Sequence, residues 1–345
     1  MSFKYIQEIP APETILKDIP VSEDLKKLKA ARDRQIRDVF EGNTEKFVLI
    51  VGPCSADNED SVCDYNLRLR KLQDKVKDKV LIIPRIYTNK PRTTGSGYKG
   101  MAHQPNPAEE PDMVKGLEAI RRLHIRSLRE TGLPAADEML YPENYPYLAD
   151  LLSYVAIGAR SVENQQHRLT ISGLDIPAGM KNPTSGNLTV MFNSIQAAQL
   201  PHVFSYNRWA VKTSGNPLCH AVIRGATDHY GRSIPNYHYE ELVTLSEMYE
   251  ETGLKNPAII VDTNHANSNK KFSEQPRIAM EILHSRRRSP LLGKMIKGLM
   301  VESYIEEGCQ KIGDGVFGKS ITDPCLGWAA TEKLIQDIAE ILGKQ

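Results

Sequence analysis

Short apolar runs alternate along the chain with longer segments whose apolar residues recur every three or four positions. Eight runs are of the first kind, at residues 47–54, 80–87, 135–140, 154–160, 177–182, 220–225, 258–265 and 296–303. Between them, Met113, Leu117, Ile120 and Leu123 fall at helical spacing, as do Leu242, Leu245 and Tyr249 ahead of Gly253, and Leu334, Ile338 and Leu342 ahead of Gly343. Such spacings line one face of a helix, and a glycine after the last periodic residue is a stop signal. Strand and helix alternating in this way predict an α/β fold with a parallel sheet and crossover helices. Eight units point to a closed (β/α)8 TIM barrel, with an open doubly wound sheet as the alternative.

The polar residues support the barrel. Near the C-terminal end of each run stands Cys54, Arg85, Glu138, Arg160, Lys181, Arg224, His265 or Glu302, and barrel enzymes assemble their sites at that end of the strands. A strand also turns polar simply on leaving the core. That accounts for any one of the eight, and poorly for all eight being chemically capable.

Two segments are additions to the barrel. Residues 1–46 precede the first run. Within them Ser22 can cap a helix reaching Phe40, with Gly42 as its stop and Leu25, Leu28, Ile36 and Phe40 as its apolar side. This helix is expected to cover the barrel floor or to form a subunit contact. Residues 201–216 are too many for a plain helix–strand connection and predict a hairpin beside the sixth strand. The chain therefore divides into an N-terminal extension, 1–46, and a catalytic barrel, 47–345, with a hairpin inserted at 201–216.

Composition narrows the partners. The 345 residues carry 44 Lys and Arg against 43 Asp and Glu, so nothing in the overall charge favours nucleic acid or an anionic membrane. No stretch approaches the ~20 apolar residues of a membrane span. Residues 1–10 lack the apolar centre of a secretory signal, and the five cysteines include no C-x-x-C pair. The expected compartment is the cytoplasm.

Chemistry is suggested by what would meet at one barrel mouth. Arg85, Arg160, Lys181 and Arg224 would converge there, followed on one loop by Lys90, Arg92 and Lys99. Burying so many cations is unfavourable unless an anion neutralises them, and Arg forks suit phosphate and carboxylate oxygens. The expected substrate carries more than one such group. Cys54, His265, Glu302 and Asp323 come from the first, seventh and eighth runs and the loop beyond, which are neighbours in a closed barrel. As a mixed soft and hard ligand set they suit Mn, Fe, Co or Zn better than Mg or Ca. Taken singly, Cys54 reads more readily as a small buried residue and His265 as a core histidine. His167 could contact a phosphate, relay a proton or face solvent. No P-loop, no G-x-G-x-x-G and no G-x-S-x-G occurs, so nucleoside triphosphate, dinucleotide and serine-hydrolase chemistry lack support.

The runs Gly52-Pro53-Cys54-Ser55, Lys90-Pro91-Arg92-Thr93-Thr94, Gly158-Ala159-Arg160-Ser161, His265-Ala266-Asn267-Ser268, Val301-Glu302-Ser303 and Gly318-Lys319-Ser320-Ile321-Thr322-Asp323 together resemble class I 3-deoxy-D-arabino-heptulosonate-7-phosphate (DAHP) synthases. The resemblance implies condensation of phosphoenolpyruvate with erythrose 4-phosphate, giving DAHP and phosphate as the first step of the shikimate pathway to aromatic amino acids. It implies that Arg85, Lys90, Ala159, Arg160, Lys181 and Arg224 bind phosphoenolpyruvate, and that Lys90, Pro91, Arg92, Thr93 and Asp323 bind erythrose 4-phosphate. Lys90, Glu138 and His167 become catalytic candidates, and Cys54, His265, Glu302 and Asp323 ligands of one divalent metal ion. It further implies a homodimer or homotetramer and an aromatic amino acid inhibitor bound through residues 1–42 and 201–216. The chain departs from the family pattern in loop 94–100, which is one residue longer and has Tyr98 where Trp is usual, leaving the role of Lys99 open. Ala226 follows Gly225 where Gly is common, so a methyl is expected to crowd a backbone–phosphate contact. A shared metal would also bring Cys54 and Cys325 within reach of a disulfide. A related synthase acting on another aldose, and a non-catalytic barrel that senses phosphorylated metabolites, are the alternatives; a sensor has no need of Lys90 and all four metal donors.

Overall fold

All eight apolar runs contain a strand. A computed structural model describes residues 2–344, so Met1 and Gln345, the outer ends of the two expected units, lie outside it. The strands are β1 (Phe47–Gly52), β2 (Val80–Pro84), β3 (Ala135–Glu138), β4 (Leu152–Ile157), β5 (Ala178–Lys181), β6 (Cys219–Ile223), β7 (Ile259–Asp262) and β8 (Ile296–Glu302). Their order is β2-β1-β8-β7-β6-β5-β4-β3, every pairing parallel. A parallel bridge between Arg85 and Ala136, with Ile86 N–H donating to Ala136 O at 2.9 Å, joins β2 to β3 and completes the ring. The result is a (β/α)8 barrel rather than an open sheet.

Ten helices accompany the strands among the described residues: α1 (Pro12–Asp18), α2 (Glu23–Glu41), α3 (Glu59–Val76), α4 (Met113–Thr131), α5 (Gln165–Ile171), α6 (Leu188–Gln199), α7 (Tyr239–Glu251), α8 (Gln275–Arg288), α9 (Pro290–Met295) and α10 (Trp328–Gly343). The alternation fails once. Between β3 and β4 the chain makes only a 3-10 turn, Pro142–Tyr147, where Pro146 in the interior removes a backbone donor an α-helix would use. None of these helices is long and apolar enough to cross a membrane.

Alternate strand residues point inward or outward. Val48, Ile50, Leu81, Ile83, Ala136, Ala156, Val222, Ile260 and Met300 form the interior cluster, while Leu49, Val51, Ile82 and Val155 pack beneath the helices. Ile36, Val39 and Phe40 of α2 belong to the interior cluster, so α2 closes the barrel floor. Its ends follow the expected signals: Ser22 Oγ accepts from Leu25 N at 3.4 Å, and Gly42 ends it in the left-handed conformation, φ 79°. Leu28 is 37% exposed and contributes little. Within 201–216, strands Val203–Tyr206 and Trp209–Lys212 pair antiparallel across Asn207 and Arg208, both at positive φ, as tight hairpin turns favour. Val203 and Trp209 are largely exposed.

One buried group gives the fold a pH dependence. The ring of His220 lies inside the barrel, bonded to Tyr154 Oη and Leu218 O, both at 2.8 Å, and 4.3 Å from the Phe40 ring. Burial lowers its pKa from 6.5 to about 4. The folded state therefore keeps it neutral, while the unfolded chain protonates it as pH falls through 6.5. Its contribution is intact above pH 6.5 and lost progressively toward pH 4, a change of about 3 kcal/mol. Urea unfolding at pH 7.5 and pH 5 should show a smaller acid loss for His220→Gln than for the parent chain. Identical losses would mean that His220 does not reach the interior as a neutral ring.

Candidate active site

The C-terminal end of the barrel opens on a cavity of about 350 Å³. Seven cationic side chains border it, Arg85, Lys90, Arg92, Arg160, Lys181, Arg224 and Lys270, against two carboxylates, Glu138 and Asp323. Each comes from a strand end or the loop after it. Lys181 and Glu138 close β5 and β3, Arg85 and Arg224 lie one residue past β2 and β6, and Arg160 lies three past β4. Nε and Nη1 of Arg85 and Nη1 of Arg224 are buried without a hydrogen-bond partner. An orphaned buried donor costs about 1–3 kcal/mol, so these nitrogens can donate to a further anion, although Arg85 already pairs with Glu302 through Nη2. Burial lowers the Arg224 pKa, opposed by Asp262 and Glu302 and aided by Arg160.

The loop after β2 is pinned from behind. Lys90 N–H donates to Lys99 O at 2.9 Å, and Arg92 Nε to Tyr98 O at 2.8 Å. The Tyr98 ring is buried, and its hydroxyl donates to Ala56 O at 3.2 Å. Tyr98 thus anchors the loop, while Lys99 does not border the cavity. Pro91, Thr93 and Ala159 line it. Arg160 is exposed at the rim and donates to Pro91 O at 3.1 Å, tying the two loops together. Glu138 lies against Gly158, where any Cβ would come 2.3 Å from Glu138 Oε1, so this approach requires glycine. Ala226 behaves differently from the expectation. Its methyl faces Gly186, whose own Cβ would sit 2.6 Å from it, and it does not line the cavity.

Two of the four expected metal donors, Cys54 and Asp323, meet a cation of the chain itself. Lys90 Nζ lies 2.5 Å from Cys54 Sγ and 2.8 Å from Asp323 Oδ2, and Cys54 Sγ is 3.3 Å from that oxygen. His265 Nε2 is 3.8 Å from Glu302 Oε1, which also meets Arg85 Nη2 at 2.8 Å. Glu302 Oε2 accepts from Asn264 Nδ2 at 2.6 Å. Among the described residues no three His, Cys, Asp or Glu side chains stand together as a ready-made metal cage; Lys90 pairs with Asp323 and Arg85 with Glu302. Burial, reinforced by Glu302, raises the Cys54 thiol to about 11. Burial opposes ionisation of Asp323, yet the Lys90 ammonium holds it well below the usual carboxylate range. His265 adopts φ 50°, an uncommon left-handed conformation for a non-glycine residue and one that clusters at functional sites.

His167 is the site candidate placed away from the cavity. It is buried, with Nε2 bonded to Leu140 O at 3.0 Å and Nδ1 to Asn164 Oδ1 at 3.1 Å, and it does not line the cavity. Both ring nitrogens are engaged by the protein, and through Leu140 it braces the segment after Glu138. Two residues went unnoticed in the sequence. Lys270 reaches the rim from the loop after His265. Asp262 ends β7, fully buried, between Lys181 and His265. Its position three residues before His265, at a strand end, was the available signal.

The chain matches the family described as DAHP synthetase I over residues 18–336. It belongs to that family. It is 36% identical over 350 residues to the Phe-sensitive phospho-2-dehydro-3-deoxyheptonate aldolase of Escherichia coli K12, covering 98% of this chain and 96% of the relative. It is 33% identical over 343 residues to the Trp-sensitive enzyme of Enterobacter agglomerans, covering 97% and 95%. The solved structure of the aldolase from Francisella tularensis SCHU S4 superposes with a TM-score of 0.91 at 30% identity, over 99% of each chain. The chain is thus an enzyme of the DAHP synthase class. Relatives sensitive to different amino acids match it almost equally, so identity does not select an inhibitor.

Proposed function

We propose that this DAHP synthase family member condenses phosphoenolpyruvate with erythrose 4-phosphate in a divalent-metal-dependent reaction, as the first step of aromatic amino acid biosynthesis. The observation that carries the reading is the cation-lined cavity with orphaned Arg85 and Arg224 donors, next to a thiol, an imidazole and two carboxylates. Arg85, Arg160, Lys181 and Arg224 hold the phosphate and carboxylate of phosphoenolpyruvate beside Ala159 and Glu138. Lys90, Pro91, Arg92, Thr93 and Asp323 hold the aldose phosphate. Fixing both reactants in one cavity makes their encounter effectively unimolecular. The Lys90 ammonium, kept protonated by Cys54 and Asp323 against the effect of burial, donates its proton to the aldehyde oxygen as the enol carbon attacks; water then adds to the oxocarbenium-like carbon left behind, and phosphate leaves from it.

Cys54, His265, Glu302 and Asp323 suit one ion of the Mn, Fe, Co or Zn type by the chemistry of their donors; His265 and Asp323 line the cavity, Cys54 Sγ lies 3.3 Å from Asp323 Oδ2, and Glu302 Oε1 lies 3.8 Å from His265 Nε2. Such an ion supplies Lewis-acid polarisation of a carbonyl oxygen. Assays with erythrose 4-phosphate and a five-carbon aldose phosphate side by side test the substrate. Preference for the five-carbon sugar would reject this reading in favour of the related synthase.

Arg160→Ala should raise KM for phosphoenolpyruvate about tenfold, the scale of one charged hydrogen bond, with little change in KM for the aldose phosphate. Equal effects would place Arg160 on the wrong substrate.

Oxidation should inactivate the enzyme. Cys54 N lies 3.4 Å from Cys325 Sγ, a closeness in keeping with the Cα separation below ~7 Å that a disulfide needs. Two Cu²⁺ ions accept one electron each as the two thiols lose their protons and the S–S bond forms. Activity should return with dithiothreitol, and Cys325→Ser should resist. Peptide mapping that found Cys54 sulfinic acid beside a free Cys325 would refute the disulfide.

The relatives' names carry Phe or Trp sensitivity. On that analogy residues 1–42 and the hairpin at 201–216 form an aromatic amino acid inhibitor site and subunit contacts, in a cytoplasmic homodimer or homotetramer.

A further inference from the structure

Asp262 belongs to neither substrate subsite nor to the metal donors, yet it touches both. Its side chain is fully buried at the end of β7. One oxygen, Oδ2, receives Lys181 Nζ at 2.9 Å and lies 2.9 Å from His265 Nδ1, off the straight hydrogen-bond line. The other, Oδ1, accepts the backbone N–H of Asn264 at 3.0 Å. Asp262 O accepts from Asn267 Nδ2 at 2.8 Å, so the residue is held at both ends. A single carboxylate oxygen is thereby shared between the phosphoenolpyruvate lysine and the histidine of the metal set.

We propose that Asp262 is a positioning residue that couples the anion subsite to the metal subsite through this shared oxygen. The proposal rests on the functional reading above. An acceptor beside Nδ1 keeps the proton there and turns the lone pair of Nε2 toward Glu302 and the cavity, where it can ligate. Such outer partners typically change metal affinity 10–100-fold. Lys181 competes for the same oxygen. When an anionic substrate draws the Lys181 ammonium toward itself, Asp262 is released to His265 and the histidine becomes a better ligand. Phosphoenolpyruvate should therefore tighten metal binding, and by linkage the metal should tighten phosphoenolpyruvate.

The two partners of Asp262 give opposite signatures, which general damage to the barrel would not. Titration of the full-length, metal-stripped chain with Co²⁺, followed by the thiolate-to-cobalt absorption, reads the metal affinity without turnover. Asp262→Asn should weaken Co²⁺ binding about 10–100-fold. Lys181→Met should leave it equal or several-fold tighter. In both variants the tightening produced by phosphoenolpyruvate should fall by about fivefold or more, the low end of allosteric coupling. Weakening of Co²⁺ binding in both variants alike, or tightening by phosphoenolpyruvate that survives in Asp262→Asn, would overturn the coupling. A parent chain that bound neither Co²⁺ nor phosphoenolpyruvate would instead reject the functional reading on which it rests.

Discussion

Replacing Lys90 by Met should lower turnover about 10²–10⁴-fold, the range for losing a positioned general acid, while the chain still takes up a divalent ion. Lys90 is the group whose nitrogen stands among Cys54, Asp323 and the cavity at once. Its charge is maintained by those two side chains although burial opposes it. Methionine fills similar volume, so the loop anchored by Tyr98 keeps its place. Removing the ammonium also removes a like charge from the neighbourhood of an incoming ion, so metal affinity should hold or rise. Stopped-flow turnover and a parallel metal titration separate the two effects. Normal turnover in this variant would exclude Lys90 as the proton donor.

Glu302→Ala and His265→Ala should both abolish tight metal binding and activity, but they should part company in stability. Glu302 is 1% exposed and is the ion-pair partner of Arg85, which is 2% exposed. Removing one member of a buried pair typically costs 3–5 kcal/mol, because the other is left charged and unpaired, and about that loss is expected in urea unfolding of Glu302→Ala. The His265 side chain is 24% exposed, and its removal leaves Asp262 still paired with Lys181, so His265→Ala leaves no buried charge unpaired and should cost only about 1 kcal/mol, the usual size for a single substitution. Excess metal should then partly restore His265→Ala and not Glu302→Ala. Equal stability of the two variants would show that the Arg85–Glu302 pair does not hold the barrel mouth.

The strands are legible because parallel strands buried on both faces must be continuous apolar runs, and eight such runs leave few architectures. The connection from β3 to β4 is not, since alternation alone asks for a helix where the chain, with Pro146 in its interior, makes a 3-10 turn. Arg85, Lys181, Arg224, Glu138 and Glu302 are visible as polar residues at strand ends, and the fold carries each to the barrel mouth. The surroundings of His167 are not legible in the same way, since its neighbours in sequence do not reveal that Leu140 and Asn164 meet its two ring nitrogens. Asp262 escapes for a related reason: its value lies in two partners 81 residues before it and three after it. Only the barrel geometry makes them neighbours.

The central claim is that this cavity joins two phosphorylated substrates with the help of a divalent ion. The most direct measurement is phosphate release from phosphoenolpyruvate by the EDTA-treated chain, with and without erythrose 4-phosphate, before and after addition of Mn²⁺. Release should require both the aldose and the metal, and the product should be a seven-carbon acid phosphate. Release without the aldose, or full activity after exhaustive metal removal, would contradict the account.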